Sequence, residues 1–286
     1  MKGLLCGLAG LMLAAMALMV DPLGSFNALV PKDRGSARIA EGVAFAAGPR
    51  LRLDVYAPRR AAARPHPVIV FLYGGAWQGG RRQGYGFAGR ALAARGFVVV
   101  VPDHRLVPEV RYPDFLADCA AAVRWTRRAA GRFGGDGERI VLVGHSAGAY
   151  NAGMLALDPA WLGADREAIR GFAGLAGPYD FLPFDDPATI AAFGRWPRPE
   201  DTQPVHRAAA GAPPALLLHG ADDTRVRPRN SRALAAALEA AGGDVRLKLY
   251  PGLGHIGIVT ALAVPFRRRA PVLDDVARFA DDVTEG

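Results

Sequence analysis

The chain has 286 residues, 51% hydrophobic and 22% charged, a balance too apolar for a disordered chain and ordinary for a globular one. Its 35 Lys and Arg against 27 Asp and Glu give a net charge of +8, but the bases are scattered, the densest run being Arg267-Arg268-Arg269, with no basic stripe or nucleic-acid motif. Cys6 and Cys119 stand far apart and no Cys/His group has zinc spacing, so no nucleic acid, metal or other cofactor is expected as a partner.

At the N-terminus, residues Gly3 to Val20 carry no charge and are nearly all Leu, Ala, Met or Gly behind a single Lys2. That pattern predicts a secretory signal peptide or an uncleaved membrane anchor over residues 1–20. Export is therefore expected, with the body of the chain periplasmic or facing out of the cytoplasm. Asp21 to Arg38, with Pro22, Gly24, Pro31 and Gly35, reads as a linker or N-terminal arm.

From residue 39 to 286, short β-rich runs alternate with longer helical ones. The strand candidates are Leu51–Tyr56, Val68–Leu72, Phe97–Val101, Ile140–Val143, Gly171–Leu175, Ala215–Leu218 and Val245–Leu249. Val68–Leu72 and Phe97–Val101 are continuously apolar, which signals strands buried on both faces of a largely parallel sheet. Helices are predicted over Tyr85–Arg95, Asp114–Arg132, Ala147–Leu157, Arg229–Ala241 and Val272–Asp282. In the second, Phe115, Cys119, Ala122, Val123 and Thr126 share one face, so Cys119 is read as core. The alternation predicts one doubly wound α/β domain. An excursion over about 176–214, with Tyr179, Phe181, Phe184, Phe193 and Trp196, reads either as ordinary core or as a small lid with an apolar pocket.

The sharpest chemical signal is Gly144-His145-Ser146-Ala147-Gly148, a G-x-S-x-G between a predicted strand and a predicted helix. The turn is tight enough to need glycines on both sides, and it pushes Ser146 out at the carboxyl edge of the sheet. A serine hydroxyl is a weak nucleophile and needs a base. Of six histidines, His255 is the candidate, because it lies in a glycine-flanked loop after the last strand. His145 reads as a packing residue, His219 as local structure, and His66, His104 and His206 have no catalytic context. The acid that fixes the base's tautomer is sought in His219-Gly220-Ala221-Asp222-Asp223. The form H-G-x-x-D-x-x-V favours Asp223, with Asp222 and, more distantly, Asp180 as alternatives. The order Ser146, Asp223, His255 is that of α/β-hydrolases. An oxyanion hole is expected from the N–H of Ala147 and from those of Gly75 and Ala76 in the loop Tyr73-Gly74-Gly75-Ala76-Trp77.

With Asp103-His104-Arg105-Leu106, these segments resemble the α/β-hydrolase esterases related to hormone-sensitive lipase, bacterial feruloyl esterase-like (BD-FAE) proteins and arylformamidases. Their pattern runs H-G-G-G/x-W, D-Y-R-L, G-x-S-A-G, H-G-x-x-D. The resemblance covers about residues 40 to 283, and two departures matter: Tyr73 stands for the histidine that orients the oxyanion loop, and Ala76 for a third glycine. It implies an α/β-hydrolase fold and hydrolysis of a small-molecule carboxylic ester. Amide or formamide hydrolysis, or a binding member of the fold without turnover, are the alternatives.

Overall fold

The computed structural model describes residues 22–60 and 62–285. The predicted leader, residues 1–20, lies outside the described residues. Among the described residues no helix is long and apolar enough to cross a membrane. Eight strands of the described residues form one sheet in the order β1-β2-β4-β3-β5-β6-β7-β8. They are β1 (Ser36–Ala44), β2 (Arg52–Pro58), β3 (His66–Leu72), β4 (Val98–Pro102), β5 (Gly135–His145), β6 (Ile169–Leu175), β7 (Ala215–Gly220) and β8 (Val245–Tyr250). The pairs β1–β2 and β2–β4 are antiparallel, and every pair from β4 through β8 is parallel. This is the doubly wound, mostly parallel sheet that the apolar runs predict.

Period-two alternation explains why those runs are apolar throughout. Ile69, Phe71, Val99, Val101, Val141 and Val143 face one core, which α2 (Gly86–Ala93) and α8 (Val272–Glu285) cover through Leu92, Val276 and Phe279. Val68, Val70, Val98, Val100, Ile140 and Leu142 face the other, covered by α3 (Asp114–Ala129), α4 (Ala147–Leu157) and α6 (Arg229–Ala240). Cys119 belongs to this second core, as its helical spacing indicates.

The segment read as a linker is in part folded. α1 (Pro22–Leu29) docks on α2, with the Phe26 ring edge-on to Phe87 at 5.0 Å and Asn27 Oδ1 accepting from the Phe87 N–H at 2.7 Å. Its Pro22 stands at the first helical position, where proline is tolerated, so a residue that looks like a breaker starts the helix. β1 then begins at Ser36; its two register shifts and half-exposed residues erase the alternation that would announce a strand. Two short helices also went unsignalled, α5 (Pro187–Phe193) in the excursion and α7 (His255–Thr260). Neither is long enough to show a 3.6-residue period.

The aromatic residues of the excursion fall into two environments. Tyr179 and Phe193 are buried core residues, whereas Phe181 is only partly buried and lines a cleft beside Ser146.

Candidate active site

β5 ends at His145 and α4 starts at Ala147, leaving Ser146 alone in the turn at φ 54°, ψ −123°. A non-glycine residue at positive φ is strained, at roughly 1–3 kcal/mol, and the surroundings hold it there. The Ser146 N–H donates to the Leu175 carbonyl at 2.9 Å, and its own carbonyl accepts from Ala149 and Tyr150. The flanking glycines are compulsory. A Cβ on Gly144 would lie 2.2 Å from the Gly148 carbonyl oxygen, and one on Gly148 would lie 2.0 Å from that of Leu72. The sequence demand for small residues at this turn is thus a contact between three backbone segments.

The structure brings together the three residues singled out from the sequence. His255 Nε2 lies 2.8 Å from Ser146 Oγ, and His255 Nδ1 lies 2.7 Å from Asp223 Oδ2. The histidine is the first residue of α7 rather than part of a loop, with Gly254 before it as the cap. Asp223 is buried, and its second oxygen, Oδ1, accepts from the Arg225 and Val226 N–H groups at 2.9 and 3.0 Å. Burial pushes the Asp223 carboxyl up, but hydrogen bonds from His219 and His255 and the charge of His255 outweigh it and hold the group well below the usual carboxylate range. The two alternatives are placed elsewhere. Asp222 is exposed, with its N–H on the Leu253 carbonyl, and the Asp180 N–H sits on Asn230 Oδ1.

His219 does serve local structure, but the structure it serves is the acid's own loop. Its Nε2 is 2.8 Å from the Val226 carbonyl and 3.4 Å from Asp223 Oδ2, and its Nδ1 accepts from Ser231 Oγ at 2.7 Å. His145 does more than pack. Its Nε2–H donates to the His255 carbonyl at 3.1 Å, and burial, followed by the charge of His255, pushes its pKa down to about 3, so the ring is neutral. Its Nδ1 lies 3.4 Å from Tyr85 Oη, which accepts from the Gly74 N–H at 3.1 Å. One buried chain therefore links the backbone of the base to the loop of the expected oxyanion hole.

In that loop Ala76 and Trp77 both adopt left-handed φ, 52° and 59°. Gly75, at φ 147°, could take no side chain, since a Cβ there would meet the Gly79 carbonyl oxygen at 2.2 Å. The Gly75 carbonyl accepts from Gln78 and Gly79 at 3.0 and 2.9 Å, closing the turn. Trp77 Nε1 donates to Asn151 Oδ1 at 3.2 Å, which ties the loop to α4. Ala76 and Ala147 line the same cleft of ≈ 390 Å³ as Ser146; Gly75 sits one residue behind. Ala147 is the first residue of α4, where N–H groups have no intrahelical acceptor. The geometry suits attack by Ser146 Oγ with proton transfer to His255. Among the described residues no group of three or more His, Cys, Asp or Glu is placed to hold a metal ion.

Tyr85, His145 and Asn151 were not anticipated as parts of the site. Nothing in their local sequence marks them, because each acts through a partner far along the chain. Tyr73, the departure from the H-G-G pattern, packs its ring between Tyr85 and His104, so stacking and the Tyr85 hydroxyl hold the loop.

The chain is similar in sequence and fold to known esterases. The BD-FAE family model matches residues 53–194, a span that holds the loop at Tyr73–Trp77 and the Ser146 turn. Esterase LipC of Mycobacterium tuberculosis is 32% identical over 237 residues, 74% of this chain and 58% of that protein. A probable isoprenylcysteine alpha-carbonyl methylesterase ICME of Oryza sativa subsp. japonica is 30% identical over 283 residues, 86% of this chain and 65% of that protein. The chain thus spans less than two thirds of the length of either curated relative. Among solved structures, Thermogutta terrifontis esterase 2 phosphonylated by sarin superposes with a TM-score of 0.72 at 23% identity, covering 86% of this chain and 95% of that one.

Proposed function

We propose that this chain is an α/β-hydrolase similar to the BD-FAE family, whose model matches residues 53–194, and that it hydrolyses small carboxylic esters through an acyl-enzyme intermediate on Ser146. The observation that carries the proposal is the continuous contact from Ser146 Oγ through the His255 ring to Asp223, at 2.8 and 2.7 Å, with Ser146 lining a cleft.

In this reading Ser146 Oγ attacks the ester carbonyl while His255 Nε2 takes its proton. Asp223 fixes the Nδ1–H tautomer and stabilises the imidazolium. The Gly75, Ala76 and Ala147 N–H groups receive the oxyanion, the position where fixed donors contribute most. His255 then passes its proton to the departing alkoxide. In the second half a water molecule loses a proton to His255 and attacks the acyl carbon, and the acid leaves as His255 returns that proton to Ser146 Oγ.

The test is turnover of p-nitrophenyl esters of rising acyl length, run beside N-formylkynurenine as a formamide. The account expects ester hydrolysis with a burst of p-nitrophenol stoichiometric with enzyme. Turnover of the formamide alone would assign amide chemistry instead, and absence of both would leave a binding protein on this fold.

A further inference from the structure

The loop after Asp223 runs Thr224-Arg225-Val226-Arg227-Pro228-Arg229 into α6, and Arg225, Arg227 and Arg229 all line the cleft that holds Ser146. We propose that these three arginines form an anion subsite, so that the preferred substrate carries a carboxylate or phosphate in addition to its scissile ester. This rests on the esterase reading and names the class of ester.

Three observations carry it. First, all three side chains are exposed, and among the described residues none of their guanidinium groups has an ion pair or hydrogen bond with the protein. They contrast with Arg82 and Arg105, whose guanidinium groups are held by Asp54, Asp103 and Asp118. Second, the backbone that bears them is fixed. Asp223 Oδ1 takes the Arg225 and Val226 N–H groups, His219 Nε2 meets the Val226 carbonyl, and Asn230 Nδ2 donates to the Arg227 carbonyl at 3.2 Å. The same carboxylate that orients His255 therefore also sets where the arginines start. Third, Arg229 opens a twelve-residue helix with no acidic residue in its first turn. A cation at the positive end of a helix dipole opposes helix stability, whereas an anion bound there is favoured by both.

Asp185 and Asp186 line the same cleft, and the Asp186 carboxylate caps α5 through the Ala188 N–H at 2.7 Å. Asp185 is exposed and is the residue that would recruit a cation instead. Three guanidinium forks, matched to planar carboxylate or phosphate oxygens, outnumber the two carboxylates. Because the arginines are exposed, their pull on an anion is screened by salt.

The experiment compares 4-acetoxybenzoate with neutral 4-acetoxybenzamide, 4-acetoxyphenyl phosphate and a trimethylammonium analogue. The acyl side is probed with mono-p-nitrophenyl suberate against p-nitrophenyl octanoate. The readout is the ratio of kcat/KM, anionic over neutral, in wild type, in the triple Arg→Gln variant of positions 225, 227 and 229, and in the triple Arg→Lys variant. We expect the wild-type ratio in 20 mM salt to exceed that of the Gln variant about tenfold, to approach it in 0.5 M salt, and to be partly kept by lysine. The carboxylate and phosphate arms show which anion fits better. A parallel titration of Ser146→Ala with 4-acetoxybenzoate and 4-acetoxybenzamide reads the subsite without turnover, so loss of ester hydrolysis alone would overturn the mechanism and not the subsite. Equal ratios in wild type and the Gln variant, or a preference for the cationic ester, would overturn the subsite.

Discussion

Tyr73 and His104 stack with ring centroids 4.9 Å apart and planes 25° from parallel. Relative to the H-G-G and D-Y-R-L segments that the chain resembles, their residue types are exchanged. Tyrosine stands where the pattern has histidine, and histidine where it has tyrosine. Both rings are buried, and Arg50 spans the pair, donating to the His104 carbonyl at 2.7 Å and reaching Tyr73 Oη at 3.5 Å. The departure at Tyr73 is thus one half of a paired change in a packed site, where volume and shape are jointly constrained.

The exchange predicts strong coupling. Tyr73→His and His104→Tyr should each lower kcat/KM about tenfold, and the double variant should recover to within about threefold of wild type, a coupling of about 2 kcal/mol. A double-mutant cycle on ester turnover and on urea stability measures it. Simple additivity of the two losses would show that the rings are independent.

The acid can be assigned by substitution. Asp223→Asn should lose about 10³–10⁴ in kcat, as expected for a carboxylate that fixes the base's tautomer. Asp222→Asn, on an exposed side chain, should stay close to wild type. The opposite ranking would move the acid by one residue.

Tyr85→Phe removes the hydroxyl that meets both the Gly74 N–H and His145. Leaving a buried N–H unsatisfied costs about 1–3 kcal/mol, and a loosened oxyanion loop should lower kcat about tenfold while KM changes little. Unfolding curves beside steady-state kinetics separate the two effects. A change in KM alone would place Tyr85 in substrate binding instead.

Acid should destabilise the fold early. Burial, with the charge of Arg50 for His104 and of His255 for His145, lowers their pKa values from 6.5 to about 4 and about 3. Below pH 6.5 the unfolded chain binds protons that the folded chain refuses, so the stability these rings contribute is full above that value and is lost as pH falls toward 4 and 3. Between pH 7 and 4.5 the loss should be on the order of a few kcal/mol, read as a falling urea midpoint. His104→Tyr, which deletes one of the two groups, should flatten the profile. An unchanged midpoint over this range would contradict the buried neutral state of both rings.

How far the sequence revealed all this depended on the range of the physics. Gly144, Gly148 and the apolar runs of β3 and β4 carry local demands, steric or periodic, and the elements and the Ser146 turn could be read from them. The meeting of Asp223 with His255 was legible because both follow strands whose carboxyl ends share one edge of a parallel sheet. The bonds of His145 to His255 and Tyr85 were hidden, since such contacts join residues with no common periodicity. β1 and α1 were missed because bulges and a leading proline disguised them.

The most direct measurement of the central claim is the reaction of the protein with a fluorophosphonate, followed by peptide mass spectrometry and ester kinetics. Wild type should carry one phosphonyl group, on the peptide containing Ser146. Ser146→Ala should carry none and lose up to about 10⁶ in kcat while keeping its unfolding midpoint. Ester hydrolysis at the wild-type rate by a folded Ser146→Ala variant would contradict the account.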